Sequence, residues 1–99
     1  MFRFTLITPD APPKFPLGRI VFTTEAINRL SLGDVSDALA RHCQCDWGDV
    51  CAEDRDANDS AMRDGLRLFS VYHDRYGVKF WIITEADRSA TTVLFPDDY

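Results

Sequence analysis

Nowhere does the chain carry the roughly 18–20 consecutive apolar residues that a membrane-spanning helix needs, so no such helix is expected. The opening "MFRFTLITPDAPPKFP" has an early arginine, but its apolar run is short and alternating and no small-residue cleavage site follows it. A signal peptide is therefore not expected either. Cysteines are few and odd in number, Cys43, Cys45 and Cys51, which argues against a disulfide framework and suits a reducing, cytoplasmic setting. Internal repeats and low-complexity stretches are missing, which excludes solenoid and linker architectures. Basic residues are also scarce, 11 against 16 acids, and the formal charge is −5. A surface of that sign repels phosphate backbones, so direct nucleic-acid binding is disfavoured.

What is present suffices for one domain. A chain of 99 residues supports a single core, and 45% hydrophobic with 12% aromatic residues can fill it. The charge is unevenly spread. Between Asp46 and Asp64 stand seven acids and two bases, while the rest of the chain is neutral. All of the excess negative charge thus falls in 19 residues.

Residues 2–7, "FRFTLI", alternate and predict a short strand, followed by an irregular connection containing four prolines. "LGRIVFT" (17–23) predicts a strand, and Thr23 or Thr24 can N-cap a short helix over "EAINRLS" with Gly33 near its end. A second helix is expected from about Asp34, with Val35, Ala38, Leu39 and His42 forming one core-facing stripe. "CDWGD" (45–49) breaks it, and Trp47 is expected to be buried. The third helix, roughly 52–64, is polar almost all round, with Ala57, Ala61 and Met62 to pack and Gly65 after its end. The last third reads as strands 66–72, 78–84 and 90–95 joined by "HDRYG" and "EADRS". Such short connections predict an antiparallel meander. The middle strand, apolar on both faces, belongs at the centre. The fold class is α+β: an antiparallel sheet of three or four strands with two or three helices packed on one face.

The stretches "HCQCDWGD", "GLRLFSVY", "WIITEADRSATTVLFP" and "DDY", in that order, carry a resemblance. Over about residues 17–99 the chain resembles small plasmid-related bacterial proteins found on plasmids, prophages and other mobile elements, some of them labelled type I restriction subunits. The block from Trp81 to Thr92 is the most specific part. Cys43, Cys45 and Cys51 depart from that pattern. The resemblance implies a setting rather than a reaction: mobile elements, whose small acidic proteins often block restriction or CRISPR defences.

Three constellations invite chemistry. His42 with Cys43, Cys45 and Cys51 has four metal-capable side chains, but C-x-C followed by x5-C is not a zinc spacing, so no metal or cofactor is expected. His42 with Asp46, Asp49 and Asp54 offers a base and a carboxylate, or simply a helix end whose cation complements the dipole. Glu85, Asp87, Arg88 and Ser89 form a polar corner, either a scaffold in which Arg88 pairs with Glu85, Asp87 or an acid of the third helix, or a binding surface joined by Arg67 and Tyr72.

The function read from these features is a non-enzymatic inhibitor of a host nucleic-acid-targeting defence complex. It binds a host protein or ribonucleoprotein with a basic surface through Asp46, Asp49, Glu53, Asp54, Asp56 and Asp59, which imitate a row of phosphates. The alternatives are a small hydrolase or nuclease using His42, Asp46, Glu85, Asp87 and Arg88, and an antitoxin-like regulatory partner.

Overall fold

The computed structural model describes residues 12–99. The strand expected at 2–7 lies outside the described residues. "KFWIIT" becomes strand β3 (Lys79–Thr84), flanked by β2 (Leu68–His73) and β4 (Ala90–Leu94). Both neighbours run antiparallel to it, with Leu68 opposite Thr84 and Ile82 opposite Val93, so the predicted meander is present.

The sheet has a fourth strand, β1 (Arg19–Phe22), beside β4, giving the order β1-β4-β3-β2. β1 runs parallel to β4, so the sheet is mixed and only mostly antiparallel. Nothing local in "RIVF" encodes that direction. It follows from the long connection between β1 and β4, which leaves room for three helices before the chain returns.

Helix α1 (Thr24–Arg29) starts at Thr23, whose hydroxyl accepts the Ala26 N–H at 3.2 Å. Helix α2 (Leu32–His42) begins two residues earlier than expected, so Gly33 sits in its first turn and does not end α1. Its stripe of Val35, Ala38, Leu39 and His42 is buried as predicted. Val35, Ala38 and Leu39 pack with Ala26 and Leu30 against Tyr72, Phe80, Ile82 and Val93, which alternate onto one sheet face.

Helix α3 spans Ala52–Asp64, and Gly65 closes it in the left-handed conformation at φ 68°. It packs along the β2 side of the sheet. Ala57 is exposed, and the docking residue is Asn58, whose amide exchanges two hydrogen bonds with the Phe69 backbone, 2.6 and 2.9 Å. Asn58 thereby imitates a neighbouring strand on the outer edge of β2. Further along that edge Gly48 bridges to Val71. A Cβ at Gly48 would lie 2.0 Å from the Val71 carbonyl oxygen, and its φ of 73° also favours glycine. The edge of β2 is therefore closed by a loop and a helix, which protects it from pairing with another chain. No helix among the described residues is long and apolar enough to cross a membrane.

Candidate functional site

His42 ends α2 with its ring pointing into the protein, at 0% exposure. Its Nδ1 lies 2.6 Å from the Ser70 hydroxyl on β2, and its Nε2 lies 2.9 Å from the Thr84 hydroxyl on β3. Thr84 is 2.7 Å from the Thr91 hydroxyl on β4, and Thr91 donates to the Leu17 carbonyl at 2.6 Å. Each hydroxyl has a single proton, so the directions follow from the carbonyl end. Thr91 spends its proton on Leu17 and must accept from Thr84, and Thr84 must then accept from the imidazole. Nε2 therefore carries the ring proton, and Nδ1 accepts from Ser70.

The ring is also boxed by aromatics. Phe15 and Trp47 meet it edge-on, with centroids 5.3 and 5.7 Å away. Burial, and secondarily the Arg88 charge, push its pKa down to about 3. The cation expected at this helix end is thus a neutral, sealed imidazole. A Ser–His pair at 2.6 Å has the spacing of an activated nucleophile. Yet Ser70, His42, Thr84 and Thr91 are all at 0% exposure, so none of them touches solvent or a substrate in this conformation.

Arg88 sits at φ 61°, unusual for a residue with a side chain. Its guanidinium reaches the carbonyl oxygens of Leu66 at 2.6 Å, Glu85 at 3.1 Å, and Ala86 and Ala61 at 3.3 Å. Those acceptors replace the carboxylates that the sequence suggested. Ala61 and Leu66 lie at the C-terminal end of α3, so one cation ties the β3–β4 corner to the negative end of that helix. Asp87 accepts the Ser89 N–H at 3.0 Å, closing the turn, and Glu85 is exposed. Arg67 and Tyr72 do not share a cluster with Arg88. Arg67 donates to the Tyr99 hydroxyl, and Tyr72 donates to the Asp46 carbonyl beneath the Arg41 guanidinium.

The six acids proposed as a binding surface divide in two. Asp46 is held by Arg41 in a two-pronged pair at 2.8 and 3.1 Å, and that bond keeps its carboxyl below the usual range. Asp49 meets His73 at 2.8 Å, and Asp59 accepts the Trp47 indole N–H at 3.2 Å. Glu53, Asp54 and Asp56, all exposed in the first half of α3, carry no such bond to another described residue. Among the described residues no three of His, Cys, Asp and Glu converge as metal ligands. Cys43 is buried with its thiol on the Ala40 carbonyl, while Cys51 is exposed at the start of α3.

The sequence reading missed Ser70, Thr84 and Thr91. Threonines in β-strands look like ordinary strand formers, and only their shared inward parity marks them. No family model, curated protein or solved structure matches the chain.

Proposed function

We propose that this protein is a non-catalytic inhibitor that docks on a basic surface of a host nucleic-acid-targeting defence complex through helix α3. One observation carries the reading: side chains that carry chemistry elsewhere are consumed inside the fold, whereas Glu53, Asp54 and Asp56 are displayed on a helix fixed at its middle and near its C-terminal end. Fixing comes from Asn58 on Phe69 and from Arg88 on Ala61. A rigid row of carboxylates loses little entropy on meeting a basic groove. The resemblance to mobile-element proteins supplies the setting.

The test compares wild type with E53Q/D54N/D56N, leaving Asp59 to hold Trp47. Immobilised wild type is expected to retain a basic nucleic-acid-binding protein that elutes with salt and is displaced by nucleic acid, because exposed charges are screened beyond about 8 Å at physiological ionic strength. The triple variant should lose it. Retention unchanged by those substitutions, or indifferent to competing nucleic acid, sinks the proposal.

A further inference from the structure

Asn58 and Gly48 close the sheet along β2. β1 forms the opposite edge, with β4 on one side of it and no further strand on the other among the described residues. The Arg19 and Thr23 N–H groups point to β4, onto the Ser89 and Val93 carbonyls at 3.0 and 3.1 Å, and Val21 faces β4 with them by alternation. The N–H and C=O groups of Ile20 and Phe22 therefore point away from the sheet, and no backbone hydrogen bond among the described residues uses them. The side chains of Ile20 and Phe22 turn onto the helix-covered face, and those of Arg19 and Val21 onto the other. Arg19 is exposed and the rest of the strand only partly buried.

We propose that β1 pairs edge to edge with β1 of a second copy, antiparallel about a two-fold axis through Val21. In that register Ile20 exchanges its N–H and C=O with Phe22 of the second copy, so every outward backbone group of the strand finds a partner. Facing side chains match as well. Ile20 lies against Phe22 on the helix-covered face, and Val21 meets its own copy on the other. One position further, Arg19 faces Thr23 of the second copy, whose hydroxyl donates to the Asp98 carboxylate at 2.7 Å. Neither Arg19 nor Asp98 has an ion-pair partner within 4.0 Å among the described residues, and this register brings them together on both sides of the axis. Shifted by two residues, Phe22 would face Gly18 and the match would be lost. The contact is self-complementary, as an isologous interface requires, and a foreign strand would have to supply its own acid opposite Arg19. Both ends of the joined sheet are closed β2 edges, so association stops at two copies.

Size sets the strength. A strand of 4 residues falls well short of the roughly 20–30 residues a side of a typical specific interface. The dimer is therefore weak and reversible, with a dissociation constant of about 10–1000 µM. This edge is separate from the exposed acids of α3, so the inference does not depend on the proposed function.

Sedimentation equilibrium of the full chain from about 5 µM to about 1 mM tests it. The weight-average mass should climb from 11.3 kDa toward twice that value and no further. Over the same range, amide hydrogen exchange at Ile20 and Phe22 should slow in proportion to the dimer fraction, while Val21, already bonded to β4, changes little. Arg19→Glu, at an exposed site, should weaken association about tenfold or more. Val21→Lys and Val21→Glu should each be monomeric, because like charges meet on the axis, and an equimolar mixture of the two should associate again. Should the Val21 variants fail to fold, Arg19→Glu and the exchange rates decide. A chain monomeric at every concentration overturns the proposal and leaves the edge to a foreign strand. A dimer indifferent to Arg19→Glu, or one whose Ile20 and Phe22 amides exchange as fast as in the monomer, overturns it equally.

Discussion

The surroundings of His42 and the surface of α3 are both rich in polar groups, yet they treat them in opposite ways. Around His42 each hydroxyl and ring nitrogen is paired and sealed; among the described residues no buried side-chain polar atom is left without a partner. On α3 the carboxylates are turned out, and the helix is attached to β2 by an amide and a few small apolar contacts. The difference teaches that residue type is a poor guide to role in this chain. What a polar side chain does is set by whether the fold has already satisfied it.

The comparison breaks most readily at His42. Replacing it with alanine removes a fully buried ring and strands Ser70 and Thr84, so about 3–5 kcal/mol of stability should be lost in urea unfolding. A loss under about 1 kcal/mol would show that these bonds are not holding the core.

Acid should reach the same group without mutation. The folded pKa of about 3 lies below the ordinary value of 6.5, so protonation opposes folding. The contribution is fully present above about pH 6.5 and is lost progressively as pH falls toward 3, amounting to several kcal/mol. Hydrogen bonds hold the carboxyls of Asp34, Asp46, Asp87 and Asp98 below the ordinary value of 3.8, so these groups respond at lower pH. Denaturation midpoints between pH 6.5 and 4 should therefore fall in wild type and stay flatter in a folded His42→Gln variant.

Arg88→Ala is expected to cost about 1–3 kcal/mol, because it releases four carbonyl oxygens and leaves alanine at positive φ. The thermal midpoint measures it, and an unchanged midpoint would remove the corner from the scaffold. Smallest is the effect of E53Q/D54N/D56N, whose stability should stay within about 0.5 kcal/mol of wild type. A larger change would mean that α3 needs its charge to fold.

Local pattern made much of this legible. The span of α3, expected at roughly 52–64, is found at Ala52–Asp64, closed as expected by the glycine at 65. The α2 stripe and the β2–β3–β4 meander also followed from periodicity and short turns. The parallel placement of β1 was not readable, nor was the destination of Arg88. Thr91 bonds a carbonyl 74 positions away and His42 meets Thr84 across 42. Contacts at such separations leave no trace in a window of a dozen residues. The stretch "TEADRSATT" holds Thr84, Arg88 and Thr91, three of the residues on which the long-range scaffold turns.

The direction of the His42 hydrogen bonds has a kinetic consequence. It is dictated from Leu17, which comes before every helix and strand described, through Thr91, which lies in the last strand. The Nε2–H form, already the commoner one in a free neutral imidazole, is locked by the hydroxyl chain only once the two ends of the fold have met. Loss of exchange between the two tautomers of that one ring therefore reports that Leu17, Thr91 and Thr84 have come together.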